Sequence, residues 1–150
     1  MTAYNFSGLL VDVKAYNWHM SAKPDTTLNN NYDTVATTIP VGGIVIPGTA
    51  TGTVDNAGNG ATDYLGVATE TRNAADTRPL TYTWAGVVRV VTDNSAIVVG
   101  DHIACAAEGK VKTITEATLD GHHNISFGRA LEANSSTDET IIMAYINMAH

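Results

Sequence analysis

The sequence predicts an all-β fold: a compact β-barrel-like domain of two similar halves, entered by an extended N-terminal arm. Three observations carry this. The order of short motifs from Val41 to Trp84 recurs from Val99 to Ile146. Leu80, Tyr82 and Trp84 alternate with Thr81, Thr83 and Ala85, giving one large apolar face at the two-residue period of a strand. No stretch sustains a helical apolar period beyond about two turns. The composition agrees, because 15% charged residues is low against an average of about 25%. The surface must therefore be built largely from Thr, Asn, Ser and Gly.

The repeat is ordered. The later copy reads Val99-Gly100-Asp101-His102-Ile103, Glu108-Gly109-Lys110-Val111, Phe127 to Glu132, then Asp138 and Ile141 to Ile146. The earlier copy reads Val41-Gly42-Gly43-Ile44-Val45, Thr51-Gly52-Thr53-Val54, Leu65 to Glu70, then Asp76 and Leu80 to Trp84. Gly66 and Gly128, Ala68 and Ala130, Glu70 and Glu132, and Asp76 and Asp138 share a spacing of sixty-two positions, whereas Gly42 and Gly100 lie fifty-eight apart. Two units are too few for a solenoid, which needs roughly three. A duplicated barrel half is the reading, with chance recurrence of strand and turn punctuation as its plain alternative.

Taken in order, residues 1–34 form the arm and residues 35–150 the barrel-like domain. The arm carries Tyr4, Phe6, Leu9, Leu10, Val11 and Val13, with Trp18 and Met20 as apolar islands and Lys23-Pro24-Asp25 and Asn29-Asn30-Asn31 as turn and loop signals. A frayed terminus, or a strand packing back on the domain, is the alternative to an arm that leaves it. Gly42-Gly43 permits a turn into Ile44-Val45-Ile46, which Pro47-Gly48 closes. Residues 55–60 are loop, Leu65 to Thr71 reads as a strand, and Leu80 to Val91 is the strongest strand signal. Gly86 inside that run marks a bulge or a barrel corner. Residues 106–110 read as a hairpin turn between strands containing Ile103 and Val111, and Thr115 to Leu119 as at most a helical turn.

Motifs for chemistry fail one after another. A calcium loop starting at Asp55 lacks oxygen ligands at Ala57 and Gly66. His19, His102, His122, His123 and His150 show no metal-ligand spacing, and a structural zinc site also wants cysteines. Cys105 stands alone in an apolar segment, so no internal disulfide is possible and burial is its expected fate. Asp138-Glu139 sits in a polar turn. No nucleophile elbow, phosphate loop or dinucleotide fingerprint is present. Asn-x-Ser matches at Asn5, Asn124 and Asn134 carry little weight, since no secretory signal is read. The net charge of -7, with no Lys/Arg cluster, argues against nucleic-acid binding, and no apolar run approaches a membrane span of roughly eighteen residues. The expectation is a protein that is not an enzyme, with no catalytic residues, cofactor or metal.

Gly100-Asp101-x-Ile103, Gly109-Lys110-Val111, Phe127-Gly128-Arg129-Ala130-Leu131-Glu132 and Glu139 to Ile146 resemble the C-terminal half of the capsid cement, or head decoration, proteins of tailed bacteriophages. Pro47-Gly48, Leu65-Gly66-Val67-Ala68 and Ala85-Gly86-Val87-Val88 fit the same pattern, so the resemblance runs from Ile39 to Ile146 and leaves the arm unplaced. It implies a structural virion protein on the outer capsid surface, synthesised in the host cytoplasm. Such a protein cements the capsid by bridging major capsid protein subunits. The implied partners are the major capsid protein and further copies of itself in a homo-oligomer, taken as a trimer, with no nucleic acid and no membrane. Tyr4, Phe6, Leu9, Leu10 and Trp18 are the expected capsid-binding residues. The alternative is a carbohydrate-binding or adhesion module, which would need exposed aromatics such as Trp18 or Tyr64.

Overall fold

The computed structural model describes residues 18–25, 28–29, 35–36, 38–114, 126–135 and 138–148, with the side chains at 18, 29, 35 and 36 outside the description. Among the described residues the secondary structure is strand apart from a single 3-10 turn at Ala107–Gly109. The strands are β1 (Trp18–Pro24), β2 (Leu28–Asn29), β3 (Val35–Ala36), β4 (Thr38–Ile39), β5 (Ile44–Pro47), β6 (Thr53–Asn56) and β7 (Gly66–Ala68). They continue with β8 (Arg72–Asn73), β9 (Leu80–Val91), β10 (His102–Cys105), β11 (Val111–Ile114), β12 (Gly128–Ala130) and β13 (Ile141–Asn147). Small pairs β2–β3 and β4–β8 stand apart from one nine-stranded sheet.

That sheet runs β1-β6-β5-β7-β9-β13-β12-β10-β11 and curls into two rings that share β9. The first closes because β1 pairs in parallel with β6 and antiparallel with β9. The second closes through a parallel bridge between Thr92, just after β9, and Val111 of β11. Strand order and register repeat. Gly66 lies opposite Val45 as Gly128 lies opposite Ile103, and Val67 lies opposite Thr83 as Arg129 lies opposite Tyr145. Gly42 N donates to Ala68 O and Gly100 N to Ala130 O, both at 2.8 Å. Asp25 N donates to Val54 O at 2.9 Å, as Asp93 N does to Val111 O at 2.8 Å. Glu70 accepts from Thr81 N at 3.2 Å, and Glu132 accepts from Met143 N at 2.9 Å. The two halves are thus similar in order, register and bonding. Asp76 holds Arg78 through its carboxylate, and Asp138 O accepts from Asn134 Nδ2 at 3.4 Å.

Two glycines explain themselves through this symmetry. A Cβ on Gly66 would stand 2.7 Å from Thr83 O, and one on Gly128 would run into Tyr145 O. These are matched carbonyls on the last strand of each half. Only a residue without a side chain lets β7 approach β9 and β12 approach β13.

β9 serves both rings. Leu80 and Tyr82 face the first ring's core with Leu28, Ile39, Val45, Val54 and Ala68, while Val90 and the partly buried Trp84 and Val88 pack on the second core. The change of partner falls at Gly86, whose φ of 123° is open mainly to glycine; from Ala85 to Val91 the strand pairs with β13. The second core joins Ile103, Cys105, Val111, Phe127, Ile142 and Ile146 to Ile44, Ile46, Ala57 and Val67 of the first half. Ile44-Val45-Ile46 is apolar at every position because β5 is buried on both sides, Val45 toward the first core and its neighbours toward the second.

Of the residues 1–34 assigned to an arm, Trp18–Pro24 form the strand that closes the first ring, and Leu28 is fully buried in its core. Residues 1–17 lie outside the described residues, as do Thr115 to Leu119.

Candidate functional site

Cross-strand partners in a sheet share a face, so the register fixes what each ring shows outward. Across the first ring one such row reads His19, Thr83, Val67, Ile44 and then Ala57, whose N–H donates to Ile44 O at 2.9 Å. The matching row across the second ring reads Val87, Tyr145, Arg129, His102 and Ile114. In the first row Val67, Ile44 and Ala57 belong to the second core and are buried. In the second row Val87, Tyr145 and Arg129 are exposed, with Tyr145 at 49%. Among the described residues, the same wall of the same fold is buried in one half and largely exposed in the other.

Further exposed apolar side chains flank the uncovered row. Ile141 and the partly buried Met143 share the outward face of β13, Leu131 follows β12, and Val98 and Val99 stand on the turn before β10. Gly100 N donates to Ala130 O and Arg129 donates to Gly100 O at 3.0 Å, which ties that turn to the end of β12. Val41, the counterpart of Val99, is exposed beside Val87 and Arg89 in a groove of about 270 Å³ that also includes His19 and Thr83. A contiguous apolar surface of this kind marks an interaction site more often than a bare solvent face. No carboxylate occupies an outward strand position of the second wall, whereas Arg89, Lys112 and Arg129 do. The ion pairs among the described residues join Arg72 to Glu70, Arg78 to Asp76, and Lys110 to Glu108 and Glu139; they include none of those three cations. On a chain with net charge -7, this wall is locally basic and apolar.

The expected capsid-binding residues Tyr4, Phe6, Leu9 and Leu10 lie outside the described residues. Trp18 is the first residue of β1, opposite Ala85, with its side chain outside the description. Tyr64, named for a sugar-binding reading, is no exposed platform. It is 3% exposed and packs edge-on to Phe127 with ring centroids 5.1 Å apart; burial, and secondarily Cys105, raises its pKa. The register of the two halves had the signal for the wall, since His102, Arg129 and Tyr145 replace Ile44, Val67 and Thr83 position for position.

The chemistry-bearing side chains are held by local partners. His19 Nδ1 lies 2.8 Å from Thr83 Oγ1 and His102 Nδ1 lies 3.1 Å from Ser126 Oγ. Cys105 is fully buried, and burial, assisted by Asp63, pushes its thiol up to about 12. Asp55 is buried and accepts from Asn56 N at 2.6 Å. Glu139 accepts from Lys110 at 2.5 Å at the rim of a polar cleft of about 290 Å³. Among the described residues no group of three or more His, Cys, Asp or Glu side chains converges as metal ligands would. His122, His123, His150 and Asn124 lie outside the description.

No family model matches the sequence, and no curated protein matches it at a significant level. Among solved structures, the chain is similar to the N base of the head fibre protein gp8.5 of bacteriophage phi29. The TM-score is 0.59 at 15% identity, over 88% of this chain and 95% of that one. At that identity the likeness establishes a shared fold, and the two-ring β architecture described above is that fold.

Proposed function

We propose that this chain is a structural protein of a tailed-phage head, a decoration or cement protein that lies on the outer capsid surface and bridges neighbouring major capsid protein subunits. The observation that carries the reading is a fold shared, over nearly the full length of both chains, with the base of a phage head fibre. The motif order from Ile39 to Ile146 supports it separately.

Cementing asks little of any single contact. A small oligomer, here a trimer, that touches several shell subunits gains affinity through effective concentration. The N-terminal segment supplies the anchors: Tyr4, Phe6, Leu9, Leu10 and Trp18 lie across adjoining capsid subunits. Ordering its backbone costs about 1 to 2 kcal/mol per residue. A buried aromatic removing about 150 to 250 Å² from water returns roughly 4 to 6 kcal/mol, enough to order about three residues. The sugar-binding alternative loses one of its two platforms, since Tyr64 is in the core.

The test is electron microscopy of expanded shells mixed with purified protein. Density on the outer surface at repeating positions is expected, and shells that stay bare refute the reading. Deleting residues 1–17 leaves β1 whole; if occupancy persists, Tyr4, Phe6, Leu9 and Leu10 are not the anchors although the head location stands.

A further inference from the structure

The loop from β6 to β7 carries the one Asn-Gly step of the sequence, Asn59-Gly60. Glycine has no Cβ to shield its own amide nitrogen, so at such a step that nitrogen most readily reaches the side-chain amide before it. Both residues are exposed. They form the tip of a turn that Ala61 N closes on Gly58 O at 3.1 Å, with Gly60 at a φ of 74°. Asn59 lies on the polar cleft that also takes in Asp93, Asn94, Lys110, Lys112 and Glu139, so water has access to its amide.

The second ring activates this amide. Lys112, on β11, donates from Nζ to Asn59 Oδ1 at 2.7 Å. A cation on an amide oxygen draws electrons from Cγ and stabilises the negative charge that the oxygen gains when a nucleophile adds. The nucleophile at hand is Gly60 N, which donates to Cys105 O at 3.2 Å. Releasing it costs one hydrogen bond, which slows the step by roughly two- to tenfold. A Cβ on Gly60 would meet no described atom within 4 Å, so packing does not hold the tip. The other asparagines are placed differently. Asn56 and Asn134 are buried. Asn94, in the same cleft, is followed by Ser95, whose N–H donates to Asp93 Oδ1 at 2.9 Å.

We propose that Asn59 is a site of spontaneous covalent modification, in which Gly60 N displaces the side-chain amide while Lys112 holds Oδ1. Gly60 N bonds to Asn59 Cγ and gives its proton to water. The bond from Cγ to Nδ2 breaks, Nδ2 leaves as ammonia, and a five-membered imide remains. Water then opens the ring at either carbonyl. Cleavage between Cγ and Gly60 N leaves an ordinary aspartate at position 59, and cleavage between the backbone carbonyl carbon and Gly60 N leaves an isoaspartate. One water enters, one ammonia leaves, and nothing is oxidised or reduced. The two products act differently. The aspartate places a carboxylate against Lys112 and turns a hydrogen bond into an ion pair. The isoaspartate adds one carbon to the backbone of a turn that belongs to the seam between the rings: Ala57, Ala61 and Tyr64 lie in the second core, and Gly60 N bonds to Cys105 O on β10. Lengthening that turn loosens the seam. The inference rests on this loop and its contact with β11, and holds whether or not the chain sits on a phage head.

Incubating the full chain near neutral pH in heavy-oxygen water, followed by peptide mapping by mass spectrometry, tests it. The peptide containing position 59 is expected to gain the mass of an amide-to-acid exchange with one solvent oxygen, as a mixture of aspartate and isoaspartate, while Asn94 keeps its amide. The rate should be no less than about a tenth of that of a free peptide spanning residues 57–62. Lys112→Met should slow conversion at least about threefold, short of the roughly 10²-fold of an enclosed oxyanion donor because this one faces water. Lys112→Arg should restore much of the rate, and added salt should narrow the gap. Urea midpoints check that each variant folds, with Lys112→Gln in reserve. The isoaspartate fraction should unfold at lower urea than the fresh chain, whereas Asn59→Asp should match it. An Asn59 that stays intact after the free peptide has converted overturns the proposal, as does equal conversion at Asn94. A rate that Lys112→Met leaves unchanged overturns it too, since the step would then belong to the dipeptide and not to the fold. Loss of ammonia with Asn59 joined to Lys112 overturns it in favour of a cross-link.

Discussion

Replacing Gly128 by Ala puts a methyl group where the structure has a carbonyl. The added Cβ would run into Tyr145 O and stand 3.1 Å from Ile146 Cα, both backbone atoms of β13 that no rotamer change can move. Ordinary contact requires the strands to separate by roughly 1 Å, against a normal inter-strand spacing of about 4.8 Å. That stretches the ladder around Gly128 and Arg129 and the bond from Asn147 N to Phe127 O, now 2.9 Å. Two weakened backbone bonds at about 0.5 to 1.5 kcal/mol each, with the loosened packing of a core strand at about 1 to 3 kcal/mol, outweigh the roughly 0.4 to 1 kcal/mol that Ala gains over Gly through the unfolded chain. The net loss is roughly 1 to 5 kcal/mol, or roughly 2 to 20 °C in Tm for a domain of this size. Gly66→Ala, with its Cβ 2.7 Å from Thr83 O, should lose stability in the same way and somewhat less. Gly60→Ala is the control. Its φ of 74° is unfavourable but its Cβ meets no described atom within 4 Å, so it should cost only the backbone strain, about 1 to 2 kcal/mol. Urea unfolding followed by tryptophan fluorescence measures all three. If Gly128→Ala and Gly66→Ala are as stable as Gly60→Ala, the close approach of the strands in each half is refuted.

Two further outcomes follow from titratable groups. With its thiol pushed up to about 12 by burial and then Asp63, Cys105 should resist a thiol reagent near neutral pH, where only about one molecule in 10⁴ or fewer is thiolate even if access were free; labelling at the rate of an exposed peptide thiol would place Cys105 outside the core. The side-chain hydrogen bond from Arg78, reinforced by its backbone N–H, holds the Asp76 carboxyl down to about 2, below its ordinary 3.8. Its contribution to stability is therefore present above about pH 4 and lost as pH falls toward 2; carboxyl NMR should place the midpoint near 2 in the wild type and higher in Arg78→Ala, and an unchanged midpoint would sink the pairing.

Legibility in the sequence tracked the kind of force at work. Leu80 to Val91 was readable end to end because alternation reflects burial of one face, and the observed strand has those bounds. The glycine pairs were readable as a repeat because each answers to a backbone constraint that any copy of the fold must satisfy. The start of the barrel was harder to read. His19 to Lys23 shows weak alternation, since β1 is held largely by ladder bonds to β6 and β9, and backbone bonds leave no mark on side-chain pattern. Tyr64 misled because an aromatic in a polar, Gly- and Asn-containing loop looks exposed, whereas its edge-on packing against Phe127 depends on a contact sixty-three residues away.

The wall was legible only by treating the two halves as two measurements of one fold. Positions that agree between halves, such as Gly66 with Gly128 or Glu70 with Glu132, report what the ring needs in order to close. Positions that disagree report what differs in their surroundings. Ile44 and Val67 are apolar because the second core rests on them, whereas Arg129, in the register of Val67, is exposed and His102, in the register of Ile44, is only partly buried. The turns show the reverse bias, with Gly109 enclosed and Gly52 open. An added residue in the exposed turn at Gly52 should leave the urea midpoint nearly unchanged, whereas the same insertion at Gly109, whose N–H donates to Ala57 O, should disrupt the chain's own second core and lower it.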